Sequence, residues 1–345
     1  MRRHWRFAIP LPLIALAIVL IVWRGPDWGP IHDAFRAVTW EWVAAAIGLN
    51  LLSVVSRAVA WDTAIKQSIP PPHPRFSLVF SAFSVGLFAN AVLPGRVGEL
   101  ARVAVLRRRI GRSGTTATLV GSVFAHRMFD VFPAATLVIW VLLTAKIPRW
   151  ALTSIVIALT VGIVLLLTGF LLARGGRREF GELSRARELV LRAREGLAIM
   201  RSGRATATAA AFQYAGWLCQ LFAVWAAMEA FGIHLPLSAA GLVLVLINVA
   251  TIFPLWPGNV GLVQAAVALP LVNYGVGKAQ GIAFGIGLQA IEASVGVGVG
   301  LFFLAREGLS YATLRDIEEE TEEEIEEAEE EAAAAEADAR SRVTG

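Results

Sequence analysis

A chain of 345 residues that is 56% hydrophobic and only 17% charged, with eleven tryptophans, is too apolar for an ordinary soluble domain and is predicted to be a polytopic membrane protein. Residues 316–345 hold 14 of the 27 acids and two of the 31 bases, so the net charge of +4 hides a strongly basic remainder with 29 bases and 13 acids. Its arginines cluster at the ends of apolar runs, where lipid head groups are the nearer partner, so nucleic acid is set aside.

The first apolar run covers residues 7–23, and it is predicted to be an uncleaved span because no small-residue cleavage pattern closes it. The N-terminus is then cytoplasmic, and residues 25–39 form an outer loop. The second predicted span is Trp40–Trp61, which has a tryptophan at each end as an interfacial anchor. Arg57 lies one turn before its end. Its guanidinium either extends to the inner interface or contacts a substrate, and the sequence leaves both interpretations open.

Residues 76–110 are predicted to enter the membrane and return as a re-entrant hairpin. Pro94 and Gly95 must break the arriving helix, because proline lacks the amide donor and glycine tolerates a left-handed turn. If the first arm crossed the bilayer, the arginine-rich segment after it would lie outside, against the positive-inside rule. We therefore assign Pro94, Gly95 and Gly98 as the hinge of the hairpin.

Charged residues follow this break at a spacing of three, which places Arg96, Glu99 and Arg102 near one face of a new helix. Guanidinium groups bind phosphate through two parallel hydrogen bonds, so we interpret this face as an anion site with Glu99 between the arginines. The arginine triplet at residues 107–109 is interpreted instead as the topology-setting charge of a cytoplasmic loop.

A long predicted span, Thr115–Thr144, carries His126, Arg127 and Asp130 close to its middle. Arg127 and Asp130 are three residues apart and could simply satisfy each other as an intramembrane ion pair. Ionisable groups inside a membrane are nevertheless functional candidates, so we expect both to contribute to a substrate site. His126 is either a hydrogen-bonded packing residue or a group that titrates near neutral pH.

The second half of the chain repeats this theme. After apolar segments at residues 150–173 and Thr206–Phe231, residues 237–274 are predicted to form a second hairpin that enters from the outside. The pattern P-G-x-V-G occurs at residues 94–98 and again at 257–261, an offset of 163. Opposite orientation of two such copies is typical of an inverted repeat, whose paired broken helices mark a midplane substrate site. The predicted second hinge comprises Pro257, Gly258 and Gly261.

The last predicted span is Lys278–Arg306, and Glu292 near its centre is either a packing acid or a proton carrier. We predict an all-α membrane protein with about six full spans and two re-entrant hairpins in residues 1–305. Residues 306–345 are expected to be a cytoplasmic acidic tail, largely disordered or a solvated helix, because eleven of the fourteen residues 318–331 are Glu and repel one another.

Three short patterns carry a family resemblance that covers nearly all of residues 7–305. The chain resembles the flippase-like family built on the membrane domain of lysylphosphatidylglycerol synthases. The family element P-x-R-x-G-E-x-x-R is matched by Pro94, Arg96, Gly98, Glu99 and Arg102. The element E-R-x-x-D is matched by Arg127 and Asp130, with His126 in place of the acid. The element P-G-G-x-G-x-x-E is matched by Pro257, Gly258 and Gly261, with Asn259 and Gln264 as departures.

The resemblance implies that the protein moves a lipid with an anionic or phosphorylated head group, such as an anionic phospholipid or a polyprenyl phosphate, between the leaflets of the cell membrane. Counting six spans and two re-entrant hairpins from a cytoplasmic N-terminus predicts both termini in the cytoplasm. No cofactor or metal is expected, and no enzymatic activity, because the synthases add a soluble catalytic domain and only about 40 mainly acidic residues follow the last span. The alternative is a membrane scaffold or accessory subunit that recruits a partner enzyme acting on the same lipid.

Overall fold

The computed structural model describes residues 28–92, 98–110, 115–157, 160, 202–252 and 259–308, and these residues form helices and short connections without a strand. The helices are α1 Trp28–Arg36, α2 Trp40–Ser68, α3 Phe76–Val92, α4 Gly98–Ile110, α5 Thr115–Thr144, α6 Gly203–Ala230, α7 Leu237–Ala250, α8 Leu262–Val272 and α9 Lys278–Glu307. Residues 149–157 are also helical. The predicted span 7–23, most of the segment 150–173 and the acidic tail lie outside the described residues.

Three of these helices, α2, α5 and α9, are long and apolar enough to cross a membrane. The predicted span Trp40–Trp61 continues as helix to Ser68, where Lys66 and Asp62 form an i, i+4 salt bridge of 2.6 Å. The predicted outer loop at residues 25–39 contains helix α1, which packs against α9. The fold is therefore the predicted all-α membrane architecture with one additional short helix.

The arms of the two predicted hairpins are separate short helices. At 1.5 Å per residue, α3 with 17 residues and α4 with 13 residues reach only about 26 and about 20 Å. The arms of the second hairpin, α7 with 14 residues and α8 with 11, reach about 21 and about 17 Å. A bilayer core is about 30 Å thick, so none of these arms is long enough for a full crossing, as a re-entrant hairpin requires.

Two glycines bring the arms of the first hairpin into backbone contact. A Cβ atom built on Gly98 would lie 2.0 Å from the carbonyl oxygen of Gly86, and one built on Gly86 would lie 2.6 Å from the carbonyl oxygen of Gly98. Asn90 caps the return, because its Oδ1 accepts a hydrogen bond of 2.9 Å from the backbone N–H of Gly98. The hinge therefore requires a glycine at position 98, because any side chain there would overlap the backbone of the facing arm.

Helix boundaries repeat at the offset of 163 that the P-G-x-V-G patterns share. Helix α2 begins at Trp40 and α6 at Gly203, and α5 covers residues 115–144 where α9 covers residues 278–307. The packing repeats as well, since α3 packs on α4 and α9 in the first half while α7 packs on α8 and α5 in the second. The two halves therefore have the same internal architecture, and the hairpin of each half packs against the long helix of the other half.

The two halves meet along α2 and α6, which run antiparallel. Thr39, at the start of α2, donates a backbone hydrogen bond of 2.9 Å to Ala230 at the end of α6. In the middle, the Ser53 hydroxyl donates to the carbonyl oxygen of Gly216, its counterpart 163 residues later, over 2.8 Å. Equivalent residues meet only where a twofold axis passes between them, so the predicted inverted repeat is present.

We expect Gly98→Ala to destabilise the protein by about 1–3 kcal/mol, because the added methyl group overlaps the Gly86 carbonyl oxygen in the first hairpin. Gly48→Ala on α2 is the matched control, since no atom lies within 4 Å of its built Cβ. That control should leave stability unchanged or raise it by less than about 1 kcal/mol. Thermal unfolding of both variants in detergent measures the difference, and equal stability would contradict the close hairpin contact.

Candidate functional site

Glu99, in the first turn of α4, bridges two arginines. Its Oε2 lies 3.2 Å from Nη2 of Arg102, one turn further along the same helix, in an ion pair that lacks hydrogen-bond geometry. Its Oε1 accepts a hydrogen bond from Nη2 of Arg127 on α5. The carboxylate therefore links the tip of the first hairpin to the long helix beside it, and its second partner is Arg127 on α5, a pairing that the spacing of charges did not predict.

Arg102, which the spacing of charges assigns to an anion site, is buried, with an exposed fraction of 2%. Its guanidinium carbon lies 4.7 Å from the ring centre of Trp61 and 5.6 Å from that of Phe83. Such contacts stabilise a cation that has lost its water. Among the described residues its Nε has no hydrogen-bond partner. Arg102 is thus a buried cation behind Glu99 rather than a group at a cavity wall.

Asp130 is held from two helices. On its own helix, one turn from Arg127, its Oδ2 accepts a hydrogen bond of 3.1 Å from Nη1 of Arg127, so the two form the ion pair that the sequence allowed as the alternative to a substrate site. From α6, Trp217 donates its indole N–H to Oδ1 over 2.9 Å, and the amide of Gln213 donates to the same oxygen. Sequence reasoning missed Gln213 and Trp217. The available signal was a pair of amides, Gln213 and Gln220, in a largely apolar span.

Arg57 does not extend to the inner interface, because its side chain turns toward the middle of the bundle. Its Nη2 donates to Oε1 of Gln220 over 2.7 Å, and its guanidinium carbon lies 5.3 Å from the Trp217 ring centre. Helical side chains lean toward their own N-terminus, so on antiparallel helices Arg57 and Gln220 approach each other at the Ser53 contact. Gln220 is the counterpart of Arg57 at the offset of 163, which places this pair at the axis of the repeat.

Arg57 and Arg127 line a cavity of about 510 Å³. Arg57, Arg127 and Asp130 form its polar wall, with Trp217 beside them. Asn248 and apolar residues of α7 also line the cavity, so the first half supplies the charge and the second hairpin supplies part of the apolar lining. The Arg127 side chain is 48% exposed, and its guanidinium is accessible to an anion that enters.

Two further predicted candidates lie near this group without lining the cavity. His126 is 2% exposed, places Nε2 3.1 Å from the carbonyl oxygen of Arg57 and packs edge-on against Phe83. This is the packing interpretation of His126. Glu292, on α9, acts on Arg57 electrostatically and forms no salt bridge within the described part of the chain. Its role as a packing acid or proton carrier stays open.

The charges of the site occur in one half only. At the offset of 163, Glu99, Arg102, Arg127 and Asp130 correspond to Leu262, Ala265, Ala290 and Ala293. In the second half Gln264, which replaces an acid of the family pattern, donates to Gln289 and accepts from the backbone N–H of Gly261. Gly261 has the positive φ of 92° expected of a hinge. An uncharged amide pair therefore stands where the first hairpin has ion pairs.

Several predicted site residues lie outside the described residues, namely Pro94, Gly95, Arg96, Pro257 and Gly258. Their assignment stays a prediction. Within the ranges that the structure does describe, no group of three or more metal-ligating side chains is found. The site is therefore assembled from guanidinium, carboxylate, amide and indole groups.

We expect Glu99→Gln to destabilise the protein by at least about 2 kcal/mol, because Arg102 and Arg127 lose their shared carboxylate. Breaking a fully buried pair costs about 3–5 kcal/mol, and the partial exposure of Glu99 lowers that figure. Glu41→Gln at the exposed start of α2 is the control. Thermal unfolding at matched detergent and salt compares them, and similar effects in both would contradict a structural bridge at Glu99.

Comparison with known proteins agrees with this architecture. The family described as the lysylphosphatidylglycerol synthase TM region matches residues 9–300. No curated protein and no solved structure matches the chain. The long apolar helices and this match together identify an integral membrane protein. Because the match covers most of the chain, the protein belongs to the family of the lysylphosphatidylglycerol synthase transmembrane region.

Proposed function

We propose that the protein translocates a membrane lipid with an anionic or phosphorylated head group between leaflets. The observation that carries this proposal is the cavity of about 510 Å³ into which Arg57 and Arg127 both face. That volume lies within the range of about 300–1,000 Å³ typical of small-molecule sites. The cavity sits where α2 and α6 meet, at the junction of the two halves. Membership in a lipid-related membrane family supports the same substrate class.

The hydrogen bonding of the arginines suits a competing anion. Arg127 binds the carboxylates of Glu99 and Asp130 in the described structure, and a phosphate that enters the cavity offers the same kind of acceptor. Arg57 donates to the uncharged amide of Gln220, so within the described residues its positive charge is not hydrogen-bonded to a carboxylate and can attract an anionic head group. Glu99 and Asp130 thus hold the arginines in place until the head group binds.

Buried charge also distinguishes translocation from a scaffold role. An unpaired Arg or Asp at the centre of a membrane helix costs roughly 2.5–3.5 kcal/mol on the insertion scale. Pairing reduces that cost, but a protein that only recruits a partner would need neither charge. A scaffold or accessory subunit for a lipid-modifying enzyme is therefore the alternative that the experiment must exclude. The proposal includes no enzymatic activity of this chain and places it in the cell membrane with both termini in the cytoplasm.

Purified full-length protein in liposomes tests the function directly. A head-group-labelled anionic phospholipid, phosphatidylglycerol, should move between leaflets faster with the protein than without it, and faster than labelled phosphatidylcholine. The assay reports the label that stays protected from a membrane-impermeant quencher. A polyprenyl phosphate in the same assay separates the two lipid classes. No translocation of any anionic lipid, together with co-purification of an enzyme from native membranes, would overturn the proposal in favour of a scaffold.

Arg127→Lys should lower the translocation rate of the anionic lipid by about tenfold, the effect of losing roughly 1.4 kcal/mol of interaction. Lysine keeps the charge but cannot bind two oxygens in a planar, two-pronged contact. Arg108→Lys, in the exposed triplet of α4, is the matched control and should keep the wild-type rate. Both variants preserve the positive-inside signal, so wild-type rates in both at equal orientation would contradict a phosphate contact at Arg127.

A further inference from the structure

A second cavity, of about 900 Å³, lies between α8 and α9 and reaches α1. At the offset of 163, this cavity corresponds to the interface between α4 and α5 in the first half. The positions that are charged in the first half are alanines and a leucine in the second half. Its polar groups are few. Gln264 bonds to Gln289 and to the backbone of Gly261, so these amides are already satisfied. An occupant of this groove therefore meets an almost entirely apolar wall.

The groove has two different ends. One end lies at the hairpin tips, beside Ala91 and Gly261, where the first hairpin carries its ion pairs. The other lies at the turn between α8 and α9, where Lys278 lines it, and Trp28 of α1 is also part of the lining. Helix α8 has 11 residues and is about 17 Å long, close to half of a bilayer core of about 30 Å. The groove thus matches the hydrocarbon depth of a single leaflet.

We propose that this groove binds the acyl chains of an anionic phospholipid, whose head group lies at Lys278. Tryptophan and lysine are typical of the membrane interface, where Lys278 supplies the complementary positive charge. Ala290 and Ala293 line the wall and are exposed, so space for the chains exists without rearrangement. This is a second lipid site beyond the proposed function, and its test does not depend on translocation.

Photo-crosslinking of the full chain in nanodiscs tests whether the groove between α8 and α9 binds phospholipid. Trace phosphatidylglycerol with a diazirine in its acyl chain is irradiated, and labelled peptides are mapped by mass spectrometry. We expect labelling to concentrate on α8 and α9. Ala290→Trp should lower that labelling by about fivefold by filling the groove, and Ala290→Leu should lower it less. Ile139→Trp, on the exposed surface of α5 outside the cavities, is the control and should leave it unchanged.

The head-group contact has its own comparison. Lys278→Gln should lower the labelling of α8 and α9 by phosphatidylglycerol severalfold, but not the labelling by phosphatidylcholine with the same diazirine chain. Uniform labelling of all lipid-facing helices, or labelling of α8 and α9 that Ala290→Trp does not change, would overturn the proposal. A cysteine at position 290 that crosslinks to residues 7–23 of the same chain would overturn it too, because the groove would then be covered by protein.

Discussion

The bridge from Glu99 to Arg102 and Arg127 is the interaction on which the rest of the site depends. Glu99 lies in the first turn of α4, directly after the close contact of Gly98 with Gly86, and from there its carboxylate reaches both arginines. Arg127 in turn orients Asp130, and Asp130 is fixed by the indole of Trp217 on α6. Hairpin tip, long helix and the second half are thereby joined through a single chain of charged and polar contacts.

The inverted repeat explains where that chain of contacts ends. Both halves share one architecture at an offset of 163, and Ser53 and Gly216 meet at their axis. The ion pairs of Glu99 and Asp130 lie in the first half, and alanines and a leucine occupy the equivalent positions of the second half. A lipid is likewise divided into a polar head group and apolar acyl chains. Because the backbone symmetry is kept while the side chains differ, one fold contains a cavity lined by Arg57 and Arg127 and a separate apolar groove.

Local rules predicted much of this architecture. Proline and glycine breaks, short apolar arms and the positive-inside rule indicated hairpins, and the spans Thr115–Thr144 and Lys278–Arg306 agree with α5 and α9. Such local rules could not predict which side chains of distant helices contact each other. Gln213 and Trp217 lie 83 and 87 residues from Asp130, and no local spacing links them. The spacing of charges assigned Arg102 to an anion site, but it could not show that aromatic rings from α2 and α3 surround this arginine.

The central claim is that lipid phosphate binds the guanidinium of Arg127 in the cavity, and a distance measurement tests it most directly. Solid-state NMR can detect dipolar coupling between guanidinium nitrogen and lipid phosphorus in full-length protein reconstituted with phosphatidylglycerol. The account predicts coupling that is present in the wild type, weakened in Arg127→Lys and unchanged in Arg108→Lys. Coupling of equal strength in the wild type and both variants would contradict it, because the signal would then come from arginines at the membrane surface.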